Sequence, residues 1–243
     1  FLPPNGAQYA TMQIGGHRGV YNSAWIAALV GLLANTFLSL VGFYLVKNGI
    51  TRDRTSGVGQ IIAASRISTR DYLIGKWLSN CGVLFTMIAA LTISAGIMQA
   101  VRAESPVFTP LTLIVTMTLL TLPVMALVAA IAVLFETVPG LRGSLGNVVF
   151  FFLWIMLVSV SAMERRDGRN SIDMIGAGTV MPSMMQACYL AFPDTPHGEM
   201  SLGINVRSKG ERWNLETFEW KGMNWTAPLV AGRLILLLPA LLM

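Results

Sequence analysis

The sequence predicts an all-α fold, a polytopic bundle of transmembrane helices with an extracytoplasmic loop region, and three observations carry that prediction. Residues 19–46, 77–101, 105–135 and 143–163 contain no Asp, Glu, Lys or Arg. Each run exceeds the roughly 18–20 apolar residues that cross about 30 Å of hydrocarbon, where an uncompensated charge costs several kcal/mol. Hydrophobic residues make up 54% of the chain and charged residues 12%, whereas a soluble domain carries about 25% charged residues. Aromatic and basic residues flank the apolar runs, as they do at membrane interfaces.

The first span is expected over Ala24–Val46, between Tyr21 and Trp25 at one interface and Tyr44 and Lys47 at the other. A polar segment, 47–76, leads to a second span from about Trp77 to Met98. A short turn through Arg102, Glu104 and Pro106 precedes a long helix, Leu111–Phe135, which Pro123 should kink. The link Glu136–Gly143 is so short that the fourth span, about Ser144–Ala162, must return beside its predecessor. Residues 1–23 then read as an extracytoplasmic loop remnant, 24–162 as the transmembrane bundle, 163–225 as an extracytoplasmic loop region, and 226–243 as the start of a truncated last span. Phe1 followed by Leu2-Pro3-Pro4-Asn5-Gly6 resembles the middle of a loop, and the apolar run Leu234–Met243 is uninterrupted at the last residue. We therefore expect a piece of a longer membrane domain.

Lys and Arg in short loops resist translocation and set orientation. Lys47, Arg52, Arg54, Arg66, Arg70, Lys76 and Arg142 fall on one side, and the short loops opposite hold only Arg18 and Arg102. The 47–76 loop is accordingly expected in the cytoplasm of a multi-pass protein of the plasma (inner) membrane. Arg165, Arg166 and Arg169 run against this orientation, although they belong to a long segment where charge matters little. The formal net charge of +5 is thus a matter of topology and contact with the lipid bilayer, not of nucleic acid.

The 47–76 loop carries the most information. From Gly57 to Ala64 its apolar residues recur at helical spacing, as in a surface helix whose polar face is free to meet a cytoplasmic partner. A basic loop that only fixes topology and touches anionic lipid is the plainer alternative. Arg52-Asp53-Arg54-Thr55-Ser56-Gly57, Ile61-Ile62-Ala63-Ala64-Ser65 and Ser68-Thr69-Arg70-Asp71-Tyr72-Leu73-Ile74-Gly75-Lys76-Trp77-Leu78 together resemble the segment after the second span in membrane subunits of ABC-2 type transporters. Arg66-Ile67 stands where that family often has Pro, and Asp53 where it often has Glu.

The resemblance implies a six-span permease, of which this chain supplies spans two to five and the beginning of the sixth. It also implies a separate ABC ATP-binding subunit that holds the ATP, a second permease copy in a homo- or heterodimer, and export as the common direction. By carry-over, Asp53, Arg54, Gly57, Arg66, Arg70 and Lys76 shape the contact with the ATP-binding subunit. No cofactor and no enzymatic activity are expected on this chain. It has no G-x-x-x-x-G-K-[ST] loop, since Gly75-Lys76 precedes Trp77 and the upstream position is Arg70.

Other polar positions carry two readings each. Asn35, Thr36 and Ser39 in the first span and Asn147 in the fourth can line a substrate path, or serve as interhelical hydrogen bonds. Asn80 and the small pair Ala27 and Gly31 invite the same comparison. Glu136 is either a carboxylate facing the partner subunit or a simple interfacial group. His17 and His197 are isolated, no H-E-x-x-H occurs, and no metal site is expected. Met181-Pro182-Ser183-Met184-Met185 reads as part of an interfacial helix running through Tyr189 to Phe192. Trp213, Trp220, Trp225 and Arg233 read as an interface anchor. Cys81 and Cys188 are not expected to meet. A reading from another class is a membrane-anchored structural or assembly protein that binds a partner through its extracytoplasmic loop.

Overall fold

A computed structural model describes residues 9–102, 104–163, 173–195, 200–206 and 215–238. The predicted features at Phe1–Gly6, Arg165, Arg166, Arg169, His197, Trp213 and 239–243 lie outside the described residues. The fold is mostly helical, with α1 (Ser23–Val46), α2 (Gly49–Thr55), α3 (Val58–Ala64), α4 (Thr69–Arg102), α5 (Pro110–Thr137), α6 (Ser144–Met163), α7 (Ala177–Ala191) and α8 (Ala227–Leu234). A 3-10 turn, Ile235–Leu237, follows α8. Four helices, those containing α1, α4, α5 and α6, are long and apolar enough to cross a membrane. In their apolar windows α1 and α5 are 67% and 72% buried and α4 and α6 only 22% and 17%, so α4 and α6 leave most of their apolar surface for lipid or a neighbour.

Local chemistry sets the helix ends. Asn22 caps α1 by accepting the Trp25 N–H at 2.9 Å, and Pro110 opens α5, where its missing N–H costs nothing. Helix α4 starts at Thr69, earlier than the expected Trp77. Ser68 Oγ accepts the Asp71 N–H at 3.1 Å and donates to Asp71 Oδ2 at 2.7 Å, so the helix is capped in the polar segment and runs into the apolar run without a break. Past the end of α5, Arg142 donates to the carbonyls of Glu136 and Thr137 at 2.7 and 3.0 Å, filling acceptors the helix leaves open.

The chain forms two compact units, Phe1–Val30 with Leu91–Met117 and Thr179–Asn224, and Gly31–Ala90 with Thr118–Gly178 and Trp225–Met243. The first unit contains strands where loops were expected. Strand β1 (Tyr9–Ile14) pairs antiparallel with β3 (Met200–Val206), and β2 (Arg18–Gly19) pairs parallel with β4 (Thr217–Phe218). Backbone N–H and C=O groups of these stretches thereby find partners in each other. Trp25 is fully buried and meets Phe218 edge-on at 5.5 Å. Cys188 is buried in α7 with its thiol 3.6 Å from the Ile14 carbonyl, and Trp220 is buried as well.

In the second unit Phe43 stacks on Phe150 at 3.5 Å and meets Phe135 edge-on at 5.4 Å, which ties α1, α6 and α5 together. Arg233, expected as an interfacial anchor, is 3% exposed. Its guanidinium donates to the Leu120 and Asp173 carbonyls.

Candidate functional site

The 47–76 segment folds as a helical pair. Helix α1 ends at Val46, and Asn48 takes a left-handed conformation, φ 79°, that turns the chain into α2. Among the described residues Asn48 is the one non-glycine with positive φ, and Asn tolerates that region better than most residues. Gly57 repeats the left-handed step at φ 79° and starts α3. Gly59 lies where an added Cβ would touch the Asp53 carbonyl oxygen at 3.4 Å, so α3 packs closely on α2.

The orphan N–H groups at the start of α2 are met by a side chain from α5. The Glu136 carboxylate accepts from Gly49 N at 3.0 Å, Ile50 N at 2.6 Å and Thr51 N at 3.0 Å. An anion at this end also suits the helix dipole. Glu136 is 2% exposed, so its carboxylate faces α2, not the outside. Lys47, also buried, donates to Asn147 Oδ1 at 2.7 Å and to the Gly143 carbonyl at 3.2 Å.

The other end of α2 is held from α4. Lys76 Nζ lies 2.6 Å from Asp53 Oδ2, which also accepts the Tyr72 hydroxyl at 2.8 Å. Lys76 reaches the Gly49 carbonyl as well, at 3.4 Å. Of the six residues predicted for the partner contact, Asp53 and Lys76 are thus brought together and satisfy each other. Arg54, Arg66 and Arg70 are exposed, as is Arg52, and Gly57 has open space where a Cβ would stand. Asp71 is engaged with Ser68. Helix α3 buries none of its residues and leaves Val58 and Ile61 exposed. The exposed surface therefore carries Val58 and Ile61 together with guanidiniums that form no ion pair or hydrogen bond among the described residues.

The residues predicted for a substrate path are not gathered in one place. Asn35 is fully buried and donates to the Leu120 and Ile175 carbonyls at 3.0 and 2.8 Å. Thr36 donates to Leu32 O, and Ser39 donates to Thr36 O while accepting the Trp154 indole N–H at 3.0 Å. Asn147 sits instead with Lys47, beyond the end of α1, and its backbone carbonyl accepts the Tyr44 hydroxyl at 3.0 Å.

A second charged cluster lies in the first unit. Arg18 grips Glu104 at 2.6 and 2.9 Å, the Tyr21 N–H donates to the same carboxylate at 3.0 Å, and the guanidinium lies 4.2 Å from the Tyr21 ring centre. Burial works to raise the Glu104 carboxyl, but Arg18 and the Tyr21 N–H outweigh it and hold the group below its ordinary 4.5. Burial likewise opposes the charge on Arg18, and Glu104 and Tyr21 outweigh it, so its pKa is raised. His17 stacks on Phe192 at 3.9 Å. Among the described residues no three His, Cys, Asp or Glu side chains are grouped to hold a metal ion.

Sequence reasoning singled out Glu136 without finding its partner, and it missed Lys47, Tyr72 and Arg142 as anchors. Tyr72 and Lys76 stand four residues apart at the start of α4, a spacing that puts them on one face and could have signalled a shared target. No protein-family model, curated protein or solved structure matches this chain.

Proposed function

We propose that the chain is the membrane-spanning permease subunit of an ATP-driven transporter of the ABC-2 type, an exporter, coupled through residues 47–76 to a separate ATP-binding subunit and paired with a second permease copy. The observation that carries this reading is the α2–α3 pair. It is anchored through Glu136, Asp53 and Lys47 to α5, α4 and α6, and it leaves Arg52, Arg54 and Ile61 exposed, as are Arg66 just after it and Arg70 at the start of α4. A partner with an acidic rim around an apolar groove matches that surface. Within the second unit segment 47–76 meets the 136–147 link, and within the first unit segment 9–22 meets Glu104 and Trp220.

Co-purification from membranes tests the reading. The full chain is expected to bring down an ATP-binding cassette subunit, and the double variant Arg54→Glu, Arg70→Glu is expected to lose it. Absence of any such subunit from the wild-type preparation defeats the proposal. The alternative, a membrane-anchored assembly protein, draws support from the strand pairs formed by residues 9–19 with 200–206 and 217–218. It predicts a partner that is retained whether or not ATP is present and is indifferent to Arg54 and Arg70.

A further inference from the structure

Residues Lys47–Asp53 are a junction of four helices. Helix α1 runs into it through the backbone, α6 reaches it through Asn147 on Lys47, α5 through Glu136 on Gly49–Thr51, and α4 through Tyr72 and Lys76 on Asp53. Glu136 is buried, and its carboxylate accepts three hydrogen bonds from the α2 backbone. Bonds to an ionised acceptor are about twice as strong as neutral ones, and drawing α2 away would leave a buried carboxylate without donors, a costly state. Asp53 closes the opposite end in the same way, with Lys76 and Tyr72 on one oxygen. By contrast α3 has no buried residue and is carried by α2, against which Gly59 packs.

We infer that Glu136 and Asp53 are positioning residues forming a two-carboxylate clasp, which makes α2 move as one rigid body with the adjoining ends of α4, α5 and α6. A displacement applied to the exposed α2–α3 surface then reaches α1, α4, α5 and α6 at once. The inference rests on the permease reading for the source of that displacement, but not for the rigidity itself.

The test uses the full chain in lipid nanodiscs, spin-labelled at Thr55 and Val138. Wild type is expected to give one narrow distance distribution. Glu136→Gln is expected to broaden it and to speed amide exchange at Gly49–Thr51 about tenfold or more, the scale set by losing charged hydrogen bonds. Asp53→Asn provides a second variant should Glu136→Gln fail to assemble, and the exchange Asp53→Lys with Lys76→Asp is expected to restore the narrow distribution that Asp53→Lys alone loses. An unchanged distribution and unchanged exchange in both single variants overturn the clasp. With the ATP-binding subunit present, Glu136→Gln is expected to keep the wild-type amount of bound subunit and lose transport, whereas unaltered transport despite a broadened distribution overturns the transmitting role. If wild type binds no such subunit, the permease reading fails while the distance measurement still decides the clasp.

Discussion

Asn35 and Arg233 donate to one and the same acceptor, the carbonyl of Leu120, in the turn of α5 just before Pro123. Pro123 has no N–H to offer the Leu119 carbonyl four residues back, and its ring disturbs the turn that holds Leu120; in an apolar setting side chains can serve the carbonyls of such a turn. Arg233 adds the Asp173 carbonyl and lies 3.8 Å from the Asp173 carboxylate. Replacing Arg233 by Leu takes one donor from each of the two carbonyls and the positive charge from beside Asp173, and the expected loss is about 3–5 kcal/mol. Asn35→Ala is expected to lose about 1–3 kcal/mol, and the double variant more than the sum, because only there does the shared carbonyl lose both donors. Thermal unfolding in detergent, followed for all three, checks this; strict additivity would show the shared carbonyl to be unimportant.

Glu104 predicts an acid limb in the stability of the first unit. Its folded pKa lies below the ordinary 4.5 because Arg18 and the Tyr21 N–H outweigh burial. The carboxylate therefore contributes stability that is present above the unfolded value and lost as pH falls through the folded one. Fluorescence of the buried Trp25 and Trp220 is expected to hold steady down to pH 5 and to change at lower pH. In Glu104→Gln that acid step should shrink, with stability already reduced at neutral pH.

Gly19 admits no side chain. A Cβ there would stand 2.2 Å from the Trp25 ring, and that ring is fully buried with no room to withdraw. Gly19→Ala is expected to cost about 2 kcal/mol or more through overpacking. Gly82→Ala, where nothing lies within 4 Å, should be neutral or slightly stabilising when both variants are followed by thermal unfolding in detergent.

Both cysteines are free and buried, and burial pushes the Cys188 thiol above its ordinary value. A membrane-permeant maleimide is expected to leave Cys188 unlabelled in the native chain at neutral pH and to label it after denaturation in SDS. Rapid native labelling at Cys188 would contradict its packing against Ile14.

The four long apolar helices were legible in the sequence because exclusion of charge from an apolar run is a local and severe constraint. The apolar runs delivered α1, α5 and α6 to within a few residues. The start of α4 was not seen that way, since Arg70, Asp71 and Lys76 lie outside any apolar window. Its signal was of another kind, the Ser68–Asp71 capping pair. The strands were hidden because each is short and its partner is remote: Ile14 faces Met200 and Gly19 faces Phe218. Within the 47–76 segment, position along the chain showed where charges cluster but not which are spent. Asp53 and Lys76 neutralise each other, and Arg54 and Arg70 form no ion pair among the described residues, a distinction that arises only when α4 lies beside α2.

The pairing of Tyr9–Ile14 with Met200–Val206 also governs how the chain must be made. At a synthesis rate of about 5–20 residues per second, the first strand waits roughly 10–40 seconds for its partner to leave the ribosome. Over that interval it is an unpaired edge of the kind that invites association with other chains. Slowing translation between residues 14 and 200 lengthens that exposure and should lower the yield of correctly folded chain.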